Sequence, residues 1–254
     1  MCDAGNSSVK LALASPEKLG RIYALPGKRG LTADLLALLI RQILSLENVE
    51  AGQLLACLVC SVVPGMRESL RCAFRDSLFC NILFVPEDLE IPLLNSYRNP
   101  EEAGADRLAA AYGARRMFPQ ARGLVLADFG SIATFDSVMD NEWQGGLLFP
   151  GPDAAMEAMN RAAPALPRIE AAFEGIDFLK GRTTREAMRG GVLHGYAALA
   201  EGLCGRLAKE LPAPVKIVAT GGFAGALKPF VPCFDEVVPN LGLEGLRALY
   251  YDKR

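Results

Sequence analysis

The chain has little of several features that commonly identify a function. Its 254 residues include a single histidine, His194, which excludes a catalytic or zinc site built on two histidines. No apolar run approaches the ~20 residues that cross a bilayer. The formal net charge is −2, without the excess of lysine and arginine typical of nucleic-acid-binding proteins. The sequence therefore predicts a protein that binds neither membranes nor nucleic acid.

Disulfide frameworks and flexible linkers are also missing. The seven cysteines are an odd number and lie mostly in apolar runs, which predicts reduced thiols in a cytoplasmic protein. Cys57 and Cys60 form Cys-x-x-Cys, yet no second pair stands at zinc spacing, so packing within a strand explains them better. Packing also explains His194 better than chemistry does. With 51% apolar residues and no low-complexity tract, the chain should bury a sizeable core.

One small pattern occurs twice, 125 positions apart. Residues 3–10 read Asp-Ala-Gly-Asn-Ser-Ser-Val-Lys, and residues 128–135 read Asp-Phe-Gly-Ser-Ile-Ala-Thr-Phe. A carboxylate beside a glycine turn suits a divalent metal and its phosphate, because exposed N–H groups and hydroxyls bind phosphate oxygens. A hairpin turn explains one such copy at least as well. Two copies, each opening a similar strand pattern, favour a duplicated fold with a nucleotide between its halves.

The predicted secondary structure repeats as well: three strands are followed by helix, strand, helix and strand. This order predicts an α/β fold with mixed sheets flanked by helices and a cleft between two lobes, 1–117 and 118–254. The predicted strands are 8–14, 21–25, 54–62, 79–85, 123–127, 133–139, 143–149 and 215–219. The predicted helices are 31–46, 64–74, 108–117, 152–162, 184–209 and 243–250.

Two further segments carry polar chemistry. Asp106 and Arg107 follow Gly104 at the start of a helix, whose amino end favours anions, and the glycine is expected to permit an unusual backbone angle. The alternative is that Asp106 merely caps the helix and Arg107 is a surface charge. Residues 219–224 form a strand that runs into a glycine pair, where an adenine or ribose could lie against bare backbone.

Together these segments resemble the type III pantothenate kinase family. The matching motifs, from residue 3 to about residue 250, include Asp-x-Gly-Asn-Ser-x-x-Lys, Asn-x-Tyr-x-x-Pro-x-x-x-Gly-Ala-Asp-Arg, Asp-Phe-Gly-Ser-x-x-Thr-Phe-Asp and Gly-Gly-x-x-x-Pro-Gly. The block from Tyr97 to Arg107 is the most specific, since the Asp-x-Gly repeats alone would admit any member of the acetate and sugar kinase/Hsp70/actin superfamily. The resemblance implies two duplicated ribonuclease H-like, actin-like ATPase lobes.

The resemblance also implies transfer of the ATP γ-phosphate to pantothenate, the first step of coenzyme A synthesis, by a cytoplasmic homodimer that uses Mg²⁺ and K⁺ or NH₄⁺. Asp106 would be the general base, Asp3 would hold Mg²⁺ directly or through water, and Asp128 would hold the monovalent cation. The implied nucleotide-binding residues are Asp3, Ala4, Gly5, Asn6, Ser7, Ser8, Val9, Lys10 and Ser131. The implied pantothenate-binding residues are Tyr97, Gly104, Ala105, Asp106, Arg107 and Thr184.

The sequence departs from the family pattern near both turns. Only two residues precede Asp3, which predicts that residues are missing upstream or that the turn is loosely anchored; an upstream-extended chain would then bind ATP more tightly. Ile132 and Ala133 replace a usual Ala-Thr pair, which removes one hydroxyl contact worth on the order of 1 kcal/mol. Ser7 and Ser131 replace threonines and keep the hydroxyl.

Two other functions stay open from the sequence: a regulatory protein that binds a nucleotide without catalysis, and a kinase of another small alcohol. The intact segment from Tyr97 to Arg107, with Thr184, argues against the first, because a regulator would not need it. The lack of a sugar-kinase signature beyond the superfamily turns argues against the second. Rate constants, cation preference and feedback control do not follow from the sequence.

Overall fold

A computed structural model describes residues 1–27, 31–63, 65–78, 80–176 and 179–253. The strands are β1 (Cys2–Ala4), β2 (Ser8–Ala14), β3 (Leu19–Pro26), β4 (Ala56–Ser61), β5 (Asn81–Val85), β6 (Leu94–Asn95), β7 (Gly123–Phe129), β8 (Ile132–Met139), β9 (Glu142–Pro150), β10 (Val215–Thr220) and β11 (Glu236–Val237). The helices are α1 (Ala33–Leu46), α2 (Arg67–Ser77), α3 (Ala105–Met117), α4 (Pro152–Ala162), α5 (Thr184–Lys209), α6 (Ala224–Leu227) and α7 (Leu241–Asp252).

The chain forms two compact units. Unit 1 comprises Met1–Leu93, Glu101–Arg116 and Gly242–Arg254, and unit 2 comprises Leu94–Pro100 and Met117–Leu241. Each unit contains one mixed sheet with helices packed against it. The predicted α/β class with two mixed sheets flanked by helices is therefore confirmed.

The sheet of unit 1 has the strand order β3-β2-β1-β4-β5. The central strand β1 is only three residues long, but it pairs antiparallel with β2 and parallel with β4, so it is hydrogen-bonded on both sides. The helix α1 begins after Thr32, whose side chain accepts a 3.2 Å hydrogen bond from the N–H of Leu35. Its buried residues Leu36, Ile40, Ile43 and Leu44 follow helical spacing and form one apolar stripe.

The sheet of unit 2 has the strand order β11-β10-β7-β8-β9-β6. The strand β7 is almost entirely buried, as expected of a strand covered on both faces. The helix α5 packs against β7 and starts with a capping box between Thr183 and Glu186. Its buried positions include Leu193, Ala200 and Cys204, which join the core beneath the sheet.

Neither unit is one continuous stretch of the chain. Segment 94–100 belongs to unit 2 because β6 pairs in parallel with β9. The helix α7 belongs to unit 1, where the backbone of Gly245 lies against that of Ala109 and the hydroxyl of Tyr112 donates to Asp252 at 2.7 Å. The chain therefore returns to its first unit at its end.

The predicted element bounds agree with the structure over most of the chain. The predicted ranges 8–14, 152–162 and 184–209 coincide with β2, α4 and α5. The predicted starts at residues 64 and 79 lie outside the described residues, and the corresponding elements begin at Arg67 and Asn81. Within the described ranges, every helix is too short or too polar to span a bilayer.

Candidate functional site

The first Asp-x-Gly turn joins β1 to β2 in unit 1. The N–H of Gly5 donates to the carbonyl of Ser8 at 3.0 Å, and the side chains of Asn6 and Ser7 are exposed. Gly27, just after β3, closes the turn from the side: its N–H donates to the carbonyl of Ser7 at 3.1 Å. A β-carbon at Gly27 would lie 2.8 Å from the carbonyl carbon of Ser7, so only glycine fits there. Sequence reasoning missed Gly27.

The carboxylate of Asp3 lies beside this turn in a charged setting. Burial raises the pKa of Asp3 to about 6, the positive charge of Lys10 lowers it, and the negative charge of Asp106 raises it. Lys10 stands directly opposite Asp3 in the β1–β2 ladder, which explains its influence. The structure therefore brings three of the predicted site residues together within unit 1.

Asp106 is the second residue of α3 and lies half-buried in the first turn of that helix. Its Oδ1 accepts a 2.8 Å hydrogen bond from the N–H of Arg107, which holds the carboxylate at the amino end of the helix. Burial raises the pKa of Asp106, while the hydrogen bond and charge of Arg107 oppose that effect. The carboxylate is thus held in place, and its pKa is raised above that of an exposed aspartate.

Gly104 serves this arrangement through space. Its φ lies outside the left-handed region, so the predicted unusual backbone angle is wrong. A β-carbon at Gly104 would lie 2.5 Å from Oδ1 of Asp106 and 3.7 Å from Cδ of Arg107. The glycine leaves the room that the Asp106 carboxylate occupies, which is a steric requirement and not a torsional one.

A second glycine that sequence reasoning gave no role also belongs to this group. A β-carbon at Gly242 would lie 3.8 Å from Oδ2 of Asp3 and 4.0 Å from the carbonyl oxygen of Asp106. Gly242 is the second residue of α7, so the amino end of that helix, with its partial positive charge, lies beside the carboxylate of Asp3. Two carboxylates and one helix end thus share a small space in unit 1.

The second Asp-x-Gly turn joins β7 to β8 in unit 2. The N–H of Gly151, just after β9, donates to the carbonyl of Ser131 at 3.1 Å. A β-carbon at Gly151 would lie 2.6 Å from that carbonyl oxygen. Gly151 therefore supports the second turn as Gly27 supports the first. The Pro-Gly pair after the third strand of each half, at Pro26 and Pro150, is the sequence signal that could have identified both.

Asp128 lies near the carboxyl end of β7, between Thr134 of β8 and Thr220 of β10. Gly221 has a φ of +90°, and a β-carbon on it would overlap Oδ1 of Asp128 and lie 2.6 Å from the backbone nitrogen of Phe129. The glycine pair that the sequence singled out as a weak signal thus shapes the surroundings of Asp128.

Tyr97 has a close-fitting place in unit 2. Its ring packs against Trp143 with centroids 4.5 Å apart, and its N–H donates to Oδ1 of Asn95 at 3.0 Å. Gly145, with a φ of +92°, leaves space for the ring: a β-carbon there would lie 2.6 Å from Cε1 of Tyr97. The predicted substrate residue is therefore positioned by the strand β9.

Thr184 is the first residue of α5, and it is exposed. Within the described part of the chain, no hydrogen bond or ring contact joins Thr184 to Tyr97 or Asp128.

Cys57 and Cys60 are buried free thiols of β4 whose pKa values burial raises, and His194 packs edge-to-face on Phe230 at 5.2 Å. These three residues take the packing positions expected of them.

The model of the type III pantothenate kinase family matches residues 1–206. The chain belongs to the type III pantothenate kinase family. It is 42% identical over 252 residues to the type III pantothenate kinase of Desulfovibrio desulfuricans, covering 99% of this chain and 96% of the relative. It is 40% identical over 251 residues to that of Nitratidesulfovibrio vulgaris strain Miyazaki F, with 99% and 96% covered. The predicted family is confirmed.

Among solved structures, this family member is similar to the inorganic polyphosphate/ATP-glucomannokinase of Arthrobacter sp. strain KM. The TM-score is 0.52 and the identity 14%, with 100% of this chain and 98% of the other covered. At this identity the likeness concerns the fold alone.

Proposed function

We propose that this protein is a pantothenate kinase, which transfers the γ-phosphate of ATP to pantothenate in the first step of coenzyme A synthesis. The observation that carries the proposal is the meeting of Asp3 and Asp106 beside a glycine turn in unit 1. The carboxylate of Asp3 suits a metal ion that binds phosphate, and the carboxylate of Asp106 suits accepting a hydrogen bond from an alcohol. The relatives at 40–42% identity, named type III pantothenate kinase, supply the substrate.

Asp106 is the proposed general base. The hydroxyl of pantothenate is a poor nucleophile, and a carboxylate within hydrogen-bond reach orients it and accepts its proton as the phosphoryl group moves. The raised pKa of Asp106 favours that proton transfer. Arg107, adjacent on the same helix turn, supplies positive charge toward the anionic substrate. Because positioning and electrostatics carry most of the rate, no covalent enzyme intermediate is needed.

The surroundings of Asp3 fit a divalent cation such as Mg²⁺. Burial and the negative charge of Asp106 raise the pKa of Asp3, a cost of ionisation that a cation offsets, and Gly242 leaves space beside the Asp3 carboxylate. Among the residues with a described position, no cluster of three or more metal-ligating side chains occurs, which suits a metal that keeps waters and phosphate oxygens as ligands. When bound, Mg²⁺ would neutralise charge on the transferred phosphate.

The surroundings of Asp128 fit a monovalent cation, K⁺ or NH₄⁺. Its carboxylate oxygen lies where a side chain at position 221 would otherwise stand, so glycine at that position is what allows the carboxylate to lie against the backbone. The first turn, from Asp3 to Lys10, and Ser131 in the second turn are the proposed ATP contacts. Tyr97, Gly104, Ala105, Arg107 and Thr184 are the proposed pantothenate contacts, with Asp106.

We further propose that the protein is a cytoplasmic homodimer. Four of its seven thiols are buried and all are free, which suits a reducing compartment. Unit 2 exposes large apolar side chains along β8 and β9: Ile132, Leu147, Leu148 and Phe149, each 45–62% exposed. Exposed apolar surface of this kind is typical of subunit interfaces. Light scattering of the native protein and of Leu148→Glu tests this, and a native monomer would contradict it.

An acceptor panel tests the proposed reaction. The purified protein is supplied with ATP, Mg²⁺ and K⁺, and with pantothenate, glucose or glycerol in parallel. We expect ADP formation with pantothenate alone. Phosphorylation of glucose or glycerol instead would favour a kinase of another alcohol, and ATP binding without transfer to any acceptor would favour the regulatory alternative.

A further inference from the structure

A cavity outside the proposed active site lies wholly within unit 2. It has a volume of about 770 Å³ and is bounded by α4, by segment 168–172 and by the first two turns of α5. Three arginines line it: Arg168, Arg185 and Arg189. This volume is in the range of pockets that hold small metabolites. None of these arginines has a role in the proposed phosphoryl transfer.

The three guanidinium groups of this cavity lack an acceptor among the described residues. Across the residues that the structure describes, Arg168, Arg185 and Arg189 form no ion pair or side-chain hydrogen bond. Arg189 carries the stronger signal, because its Nε is fully buried and still without a partner. A buried donor of this kind is rare in folded proteins, so an acceptor from outside the chain is expected to complete it.

Carboxylates also line the cavity, but two of them have partners. Asp153 accepts a 3.1 Å hydrogen bond from the N–H of Ala171, which fastens the segment to α4. Glu157 pairs with Arg161 one turn along the same helix at 3.3 Å. Glu170 is exposed. The lining therefore carries three carboxylates as well as three guanidinium groups, and the positive end of α5 adds positive potential at Arg185.

We propose that Arg168, Arg185 and Arg189 form a binding site for a phosphate-bearing small molecule. The planar guanidinium group donates two parallel hydrogen bonds and matches phosphate oxygens better than other side chains do. Ile169, Ala171 and Ala172 provide an apolar wall for the remainder of such a molecule. The site lies in unit 2, whereas Asp106 belongs to unit 1, and it does not depend on the proposed reaction.

Calorimetric titration with inorganic pyrophosphate in the absence of Mg²⁺ tests this site. Lys10→Gln weakens any binding at the first turn, so the titration is made in that variant and repeated after adding Arg189→Gln or Arg185→Gln. The matched control is Arg206→Gln, an exposed arginine near the other end of α5. A further titration is made with saturating pantothenate, which carries a carboxylate but no phosphate.

We expect Lys10→Gln to retain pyrophosphate binding, Arg189→Gln and Arg185→Gln each to weaken it at least tenfold, and Arg206→Gln to leave it within twofold. Pantothenate should leave it unchanged. Pyrophosphate binding that both Arg185→Gln and Arg189→Gln leave as tight as in Lys10→Gln alone, or loss of all binding in Lys10→Gln, would overturn the site. Displacement by pantothenate would assign the arginines to the substrate site instead. If Arg189→Gln fails to fold, the titration of Arg185→Gln, at an exposed position, still decides the outcome.

Discussion

The two Asp-x-Gly turns share a frame and differ in charge. In each unit the third strand of the meander ends in Pro-Gly, and the glycine N–H donates to a serine carbonyl of the turn at 3.1 Å, at Gly27 and Ser7 or at Gly151 and Ser131. The first turn is one residue longer between its last paired positions. Its aspartate faces Lys10, whereas Asp128 faces the hydroxyl-bearing Thr134 and Thr220.

The two turns show that similar backbone frames can place an aspartate in different chemical surroundings. The shared frame fixes where the aspartate and turn stand, because it consists of backbone hydrogen bonds and glycines. The neighbours on adjacent strands and helices then decide what the aspartate can do. Asp3 has a second carboxylate, a lysine and a helix end nearby, while Asp128 has Gly221 against it.

The largest effect is expected from Gly221→Ala in unit 2. The added methyl group would overlap Asp128, and the φ of +90° would strain alanine. We expect the free energy of unfolding to fall by about 3 kcal/mol, and kcat/KM to fall on the order of 100-fold. Gly222→Ala is the matched control, since nothing lies within 4 Å of a β-carbon there. Equal thermal stability of the two variants would contradict this reading of the second turn.

The charge on Asp3 gives the first turn a pH dependence. Its pKa of about 6 exceeds the ordinary value of 3.8, so folding favours the protonated form. The free energy of unfolding should therefore fall as the pH rises from about 4 to about 6, by at most about 3 kcal/mol. Asp3→Asn removes this loss, so its advantage over the native chain should grow through that window and then stay constant.

Urea denaturation at pH 4 and pH 7 measures this effect, with the exposed Glu90→Gln of unit 1 as control. Added Mg²⁺ should stabilise the native protein at pH 7 and leave Asp3→Asn unchanged. Parallel pH profiles of native protein and Asp3→Asn would show that Asp3 titrates as an ordinary exposed group.

The shared frame itself can be tested with Gly27→Ala and Gly151→Ala. Each adds a methyl group against a turn carbonyl group, at 2.8 Å from the carbonyl carbon of Ser7 or 2.6 Å from the carbonyl oxygen of Ser131. We expect a loss of about 1–3 kcal/mol of stability from each. Gly5→Ala should cost less, because its nearest neighbour, the carbonyl oxygen of Ser8, is 3.5 Å away. If Gly5→Ala costs as much as Gly27→Ala, the frame does not depend on these close approaches.

A smaller and more specific effect is expected from Gly145→Ala. The methyl group would press on the ring of Tyr97, which would shift from its place on Trp143. We expect the KM for pantothenate to rise about tenfold while the KM for ATP stays within twofold. A matching rise in both constants would mean that the substitution disturbs the unit as a whole.

The sequence was most informative where chemistry depends on neighbouring residues along the chain. Asp3 and Asp106 each stand beside a glycine and a turn or helix start, so both could be selected as candidate site residues from the local sequence. Gly242 acts by leaving space beside Asp3, far away in sequence, which no local pattern displays, whereas the Pro-Gly pairs at Gly27 and Gly151 are visible in the sequence. The assignment of α7 to unit 1 depends on tertiary packing against α3 in the same way.

The family resemblance supplied what physical reasoning left open. Spacing alone favoured Asp106 as a helix cap, and only the family resemblance favoured a general base; the Asp106 carboxylate accepts a hydrogen bond from the N–H of Arg107 in the first helical turn. The roles of all the site residues, Asp3 and Asp106 included, stay predictions, because they concern ligands that the chain itself does not contain.

The central claim is that Asp106 acts as base for transfer of phosphate to pantothenate, and single-turnover kinetics of the native protein and Asp106→Asn test it most directly. ATP, Mg²⁺ and K⁺ are supplied with excess enzyme, and binding of pantothenate is measured separately. We expect the rate of phosphopantothenate formation to be ~100-fold or more lower in Asp106→Asn than in the native protein, while its thermal midpoint is unchanged or higher. A folded Asp106→Asn that turns over within a few-fold of the native rate would contradict it.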